Sequence, residues 1–169
     1  MNKRTKYSIV YLIASVLMVL LDQFTKSLAV SKLKGKEAYV VIKKIFEFDY
    51  VENPGAAFSS FLGKQGFLLT VTAIIMVFII WKWFCIPTEK RFTLFRISFA
   101  LLISGAVGNM IDRVRQSYVV DFIYFVPINF PKFNVADCYV CISMILLAVS
   151  VLFVYKDEET DFLFHIRKK

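Results

Sequence analysis

Gly105-Ala106-Val107-Gly108-Asn109-Met110-Ile111-Asp112-Arg113 is followed by Val119-Val120-Asp121-Phe122 and then by Phe133-Asn134-Val135-Ala136-Asp137. Together these pieces place three carboxylates and an arginine between two runs of residues apolar enough to cross a bilayer. Ionisable groups beside or inside such runs are costly to desolvate, so by default they mark a functional site. The other segments then read as what holds these groups at a membrane and brings a substrate to them.

Composition supports that setting. The chain has 169 residues, the length of one domain, of which 58% are hydrophobic, and its mean hydropathy is +0.62. A soluble fold of this size would lack the polar surface to cover 18 Phe and their apolar neighbours. The net charge of +8 sits at the chain ends and in the connections between apolar runs. It forms no basic stripe with interleaved aromatics, so it suits anionic lipid headgroups and not nucleic acid. Cys138-x-x-Cys141 has no second pair, and the only histidine, His165, is in the tail. The thiols therefore read as small buried hydrophobes, and no metal or other cofactor is expected.

Four spans are predicted, over about 7–30, 67–86, 92–111 and 138–155, each near the ~20 residues a bilayer requires. A basic tail ahead of the first span resembles a signal peptide, but Asp22 and Lys26 argue for a retained span. Their i, i+4 spacing puts them on one helical face, where they can pair or, alternatively, end an interfacial helix. Trp81 and Trp83 read as interfacial aromatics, and Arg96 as reaching a headgroup layer. Between the first two spans, Tyr39–Ile42 and Ile45–Val51 carry β-branched and aromatic residues in partial alternation, predicting a small antiparallel sheet outside the bilayer. Asn53-Pro54-Gly55 ends it with turn chemistry, and Ala56-Ala57-Phe58 would permit close approach of another chain. Over Tyr118–Val126 the sequence allows either a strand or a short interfacial helix. The charged tail after 156 matches no motif.

Four spans return both termini to one side, but the positive residues divide almost evenly between the two faces and barely orient the chain. With the termini inside, Asp22, Lys26, Asn53, Asn109, Asp112, Arg113, Asp121, Asn134 and Asp137 all gather at the far face. Asn109, Asp112 and Arg113 share a helical face through their i, i+3, i+4 spacing. Asn134 and Asp137 can equally cap the start of the last span. Two acids in similar hydrophobic settings, without histidine or a phosphate-binding glycine loop, suit acid–base hydrolysis. Two close carboxylates share a proton, so one can activate water while the other hydrogen-bonds the carbonyl under attack. A proton or cation relay through the same acids is the alternative, and it calls for polar groups at mid-span depth or for repeat symmetry.

Five motifs occur in order: Asp22-Gln23-x-x-Lys26, Asn53-x-Gly55-x-Ala57-Phe58, Gly105-Ala106-x-Gly108-Asn109-x-x-Asp112-Arg113, Val119-Val120-Asp121-Phe122 and Phe133-Asn134-x-Ala136-Asp137. Over nearly its full length the chain resembles the lipoprotein signal peptidase (signal peptidase II) family. The resemblance implies an all-α membrane protein of four transmembrane helices, a single unit over 1–169. An extracytoplasmic β-cradle and a short extracytoplasmic helix would arise from the loops 31–66 and 112–137. It implies an aspartic endopeptidase of the bacterial inner membrane, with both termini cytoplasmic and the site near the extracytoplasmic surface. The implied substrate is a diacylglyceryl-modified prolipoprotein, cut immediately before its lipidated cysteine. Asp121 and Asp137 would be the catalytic dyad. Asp22, Lys26, Asn53, Gly55, Asn109, Asp112, Arg113, Asn134 and Ala136 would bind substrate or support the site. Membrane lipid and globomycin-type cyclic peptides are the further partners implied. Ser104 and Ser117 stand where the family often has glycine, and Cys138 after the second aspartate is unusual.

Overall fold

A computed structural model describes residues 2–55 and 65–164. Ala56, Ala57 and Phe58, read above as small residues leaving room for a second chain, lie outside the described residues, as does His165. The chain forms α1 (Lys3–Leu33), β1 (Tyr39–Ile42), β2 (Phe46–Asn53), α2 (Gln65–Cys85), α3 (Thr93–Gln116), β3 (Val119–Phe125), α4 (Val135–Val149) and α5 (Asp157–Phe164). A π-turn over Ser150–Val154 carries α4 one turn further. The first four helices are long and apolar enough to cross a membrane.

α3 is the central helix and packs against α1, α2 and α4. Half of its apolar window is buried, against 11% for each of the other three. Leu12, Leu17, Val77, Ile145 and Phe153 are among the large side chains left uncovered on those outer helices. Large apolar side chains left uncovered in this number suit helix sides that face lipid. Small residues let α3 and α4 approach closely. A Cβ on Gly105 would come within 2.5 Å of the Ala136 carbonyl oxygen and 2.7 Å of Val140 Cγ2. Ser104 keeps its hydroxyl satisfied by donating to Ala100 O at 2.7 Å, and it also reaches Ser15 O on α1 at 3.4 Å.

The three strands form one antiparallel sheet in the order β1-β2-β3. The segment that the sequence allowed to be strand or helix is strand β3; a single 3₁₀ turn, Val126–Ile128, follows it. Strand alternation sorts its side chains. Val120 and Phe122 pack onto Ala29 of α1, with Phe48 and Tyr50 beside them. Asp121, between them in sequence, turns to the opposite face. Residues leading into α4 fold back along β3: Phe133 O accepts from Phe122 N and Ile123 N, and Phe133 N donates to Ile123 O.

Ser117 ends α3 with φ of 62°, its N–H returning to Arg113 O. This is the left-handed cap position where glycine costs least, so serine is held there at some backbone strain.

At the opposite end of the bundle a second core forms from Ile79, Ile86, Phe92, Phe95, Phe99 and Tyr155. The charged tail, which matched no motif, builds α5 and closes this core. Phe162 meets Phe95 edge-on at 5.2 Å between ring centroids, and Arg91 binds Glu159 through two nitrogens at 2.6 and 2.9 Å. Two residues read as interfacial make inward contacts here. Arg96 does not reach outward but is buried, donating to the carbonyls of Pro87 and Glu89. Trp83 turns inward as well, giving its indole N–H to Ser8 Oγ at 3.2 Å, while Trp81 stays exposed.

Candidate active site

The site forms where α3 ends and α4 begins, and it is built outward from a buried ion cluster. Asp22 on α1 is fully buried, and Lys26 one turn later lies 3.0 Å from its Oδ2. The same ammonium lies 3.0 Å from Asp112 Oδ2 on α3 and donates to Asn109 Oδ1 at 2.8 Å. One lysine thus bridges two buried carboxylates from different helices, which lowers the cost of burying them. Gln23 completes the cluster by donating to Asp22 Oδ2, Asp112 Oδ1 and Gly108 O. Gly108 has no room for a side chain, since a Cβ would sit 2.5 Å from Asp22 Oδ2.

The two acids of the cluster also reach the polypeptide around the cavity. Asp112 Oδ2 accepts from Val120 N, pinning the start of β3 to α3. Asp22 Oδ1 accepts from Ala136 N at 2.9 Å, in the first turn of α4. A helix N-terminus leaves its first N–H groups unpaired, and here one of them is satisfied from α1. Asn134 satisfies another by accepting from Asp137 N at 3.0 Å, while Asp137 Oδ2 accepts from Asn134 N at 3.1 Å. This is a reciprocal capping box, the local arrangement that the sequence spacing of Asn134 and Asp137 suggested.

Asparagine amides then hold both candidate acids. Asp121 Oδ1 accepts from Asn134 Nδ2 at 2.6 Å and its Oδ2 from Asn53 Nδ2 at 2.9 Å. Asp137 Oδ1 accepts from Asn109 Nδ2 at 2.7 Å. Asn109 Oδ1 in turn receives Asn134 Nδ2 at 3.1 Å as well as the Lys26 ammonium. Asn134 therefore touches both carboxylates, Asp121 through its side chain and Asp137 through its backbone. Asn53 Oδ1 accepts from Gly55 N, and Arg113 Nη2 reaches Gly55 O at 3.4 Å. Arg113 Nε is buried and has no hydrogen-bond partner among the described residues.

Asp121, Asp137, Asn53, Asn109 and Arg113 line one cavity of about 880 Å³. Its size falls in the range of natural ligand sites. Phe130, Phe133 and Val140 supply apolar wall, and an ion pair from Lys132 to Asp49, 2.5 Å long, stands at its sheet side. Cys141 also lines it and is exposed on α4, so the expectation of a buried thiol fails there. Cys138 is half-buried; both thiols are unpaired.

Burial, and then the negative charge of Asp137, push the Asp121 carboxyl up to about 6. The amides of Asn53 and Asn134 and the Lys26 charge pull the other way by favouring the carboxylate. An acid balanced in this way titrates near neutrality, where it can both give and take a proton.

Each of the eleven residues singled out from the sequence lies in or against this network. Ala136 contributes its backbone N–H and, with Gly105 and Gly108, the close contact of α3 with α4. Sequence reasoning assigned no role to Gln23, although it stands inside a quoted motif. Its half-buried hydrogen-bonding was signalled only by its position one residue after Asp22. The Lys132–Asp49 pair had no signal at all.

Residues 14–153 match the family described as signal peptidase (SPase) II. Among curated relatives, the lipoprotein signal peptidase of Clostridium tetani is 41% identical over 150 residues, covering 87% of this chain and 93% of the relative. That of Caldanaerobacter subterraneus subsp. tengcongensis is 41% identical over 137 residues, covering 80% and 91%. A bacterial membrane enzyme solved by the in meso method at 2.3 Å superposes with a TM-score of 0.76 at 30% identity, covering 85% of this chain and 87% of the other. The fold, the ordered motifs and these matches agree, and the chain belongs to the signal peptidase II family, the lipoprotein signal peptidases of bacterial membranes.

Proposed function

We propose that this peptidase is an aspartic endopeptidase that cuts prolipoproteins immediately before the diacylglyceryl-modified cysteine, with Asp121 and Asp137 as its catalytic pair. The observation that carries this reading is Asn134, which bonds both carboxylates where they line one cavity. The pair holds one proton between its members. The ionised carboxylate takes a proton from water as the water oxygen attacks the scissile carbonyl carbon. The protonated partner hydrogen-bonds the carbonyl oxygen, stabilising the charge that develops there. Collapse of the tetrahedral intermediate breaks the C–N bond, and the departing amine, the new N-terminus on the lipidated cysteine, takes up a proton from the pair.

Asn53, Asn109 and Asn134 fix the carboxylate orientations, and Arg113 with Gly55 borders the substrate backbone. The Asp22–Lys26–Asp112 cluster keeps α1, α3, α4 and β3 in register around them. The substrate is itself membrane-anchored and carries a lipid at the cleavage site. A cavity whose lining reaches exposed Cys141 on α4 receives both parts without drawing either from the bilayer. In this reading the chain works as one unit in the inner membrane, with its termini in the cytoplasm and the cavity at the extracytoplasmic surface. Globomycin-type cyclic peptides, and membrane lipid at the border, occupy the same cavity.

The test is a gel-shift cleavage assay on a diacylglyceryl-modified prolipoprotein in detergent. Asp121→Asn and Asp137→Asn, folded by melting curve, each lower the cleavage rate by about 10²–10⁴-fold. Near-normal cleavage by either variant removes that aspartate from the pair. A folded wild type that cuts nowhere overturns the assignment and leaves the proton or cation relay.

A further inference from the structure

Arg96 is the third residue after the start of α3, at the end of the bundle remote from Asp121 and Asp137. It is only 3% exposed, and a guanidinium stays charged at any physiological pH. Its Nη2 is shared between the carbonyls of Pro87 and Glu89, and its plane lies 4.3 Å from the centre of the Tyr7 ring. Its Nη1 is buried with no acceptor among the described residues. None of the ion pairs among the described residues involves Arg96; Glu89 offers it a carbonyl and not its carboxylate. A buried cation whose partners are carbonyls and a ring is under-compensated, and an orphaned buried N–H adds a further penalty.

The surroundings say what would relieve it. Arg96 lines a notch of about 10 Å³ together with Arg4, Ser8 and Thr88. That volume holds one oxygen atom and little more. A second guanidinium stands at the notch, that of half-buried Arg4, anchored by a 2.7 Å bond to Phe84 O. Ser8 Oγ accepts from Trp83, so its own proton is free to donate. Two arginines and the hydroxyl-bearing Tyr7, Ser8 and Thr88, with no carboxylate lining the notch among the described residues, form a donor-rich site for an anion with several oxygens.

We infer that this notch binds a phosphate group, one oxygen entering against Arg96 Nη1 and the others meeting Arg4 and the hydroxyls at the mouth. Arginine recognises phosphate through charge-assisted, often paired hydrogen bonds, whereas a single chloride would leave most of these donors unused. The notch opens among the starts of α1 and α3 and the end of α2, helix ends that lie at headgroup level. A phospholipid headgroup and free inorganic phosphate share the required chemistry, and the bound group would tie three helix ends together.

The experiment measures phosphatidylglycerol binding to the purified full-length protein in detergent by native mass spectrometry. Diacylglycerol serves as the phosphate-free control, and inorganic phosphate as competitor. Arg96→Gln is expected to weaken phosphatidylglycerol binding about tenfold, the loss of one or two charge-assisted bonds. Arg4→Gln, at the mouth, weakens it by a smaller factor and leaves the Arg96 bonds to the turn intact, so it decides the matter if Arg96→Gln does not fold. Diacylglycerol binding stays equal in all forms. Displacement by inorganic phosphate identifies a free-anion site, and resistance to it a headgroup site. Equal phosphatidylglycerol binding by wild type and the folded variants overturns the inference and leaves Arg96 Nη1 to a trapped water.

Discussion

The two ends of the helix bundle are held together by opposite means. Where α3 meets the sheet and the start of α4, the contacts are ions and amides: Lys26 between Asp22 and Asp112, and asparagines linking Asp121 to Asp137. At the other end, rings do the packing. Phe95 is fully buried, 4.7 Å from the Tyr155 ring and 5.2 Å from Phe162. Aromatic packing is stabilising in itself, so that end can fix the helices without functional groups. The polar end gains little net stability from its ion pairs, because desolvation offsets the attraction. A network of this kind is what a site needs, since it holds carboxylates in fixed orientations.

Removing one central residue from each end separates these two roles most sharply. Phe95→Ala should cost about 3–5 kcal/mol of stability, through lost burial and a cavity. Cleavage per folded molecule should be unchanged. Lys26→Met should also cost about 3–5 kcal/mol, because two buried carboxylates lose their shared cation. It should lower cleavage as well, because Asn109 loses the ammonium that orients it toward Asp137. Melting curves and the gel-shift assay on both variants check this. A Lys26→Met protein with full specific activity would show that the ion cluster is scaffold alone.

A smaller effect tests the electrostatics. The folded Asp121 carboxyl stands at about 6, above its ordinary 3.8. The folded state therefore binds this proton more tightly than the unfolded chain. That contribution to stability is complete below the ordinary value and is lost as pH rises through about 6. Asp121→Asn lacks the titration. Its stability relative to wild type should improve by about 2–3 kcal/mol between about pH 4 and about pH 8. A difference independent of pH would mean that the carboxyl is solvated like a surface acid.

The smallest effect lies at the α3 cap. Ser117→Gly should raise stability by about 1 kcal/mol by relieving the left-handed backbone, with no change in cleavage.

Much of this architecture was legible in the sequence because membranes simplify the reading. Hydropathy runs located the four long helices, and alternation located β1 and β2. The i, i+4 pairing of Asp22 with Lys26 was visible, yet its third partner Asp112 was not, since helix-to-helix contacts leave no periodic trace. The same holds for Gln23, whose amide serves two helices. Hydropathy also gave no sign of the inward contacts of Arg96 and Trp83. An arginine or tryptophan near a span end reads as interfacial, and only packing reveals that it faces the protein. α5 went unassigned because its charges hide Phe162, a ring that packs against the aromatic core.

The reciprocal cap between Asn134 and Asp137 has a consequence for how this chain can change over time. Those residues begin α4, and they also aim the two carboxylates. A residue inserted or deleted between 134 and 137 would shift the helix start and the chemistry in one stroke. The stretch from Val126 to Pro131, by contrast, carries none of the hydrogen bonds that aim the two carboxylates. Indels among relatives should therefore accumulate on one side of Phe133 and stop abruptly at Asn134.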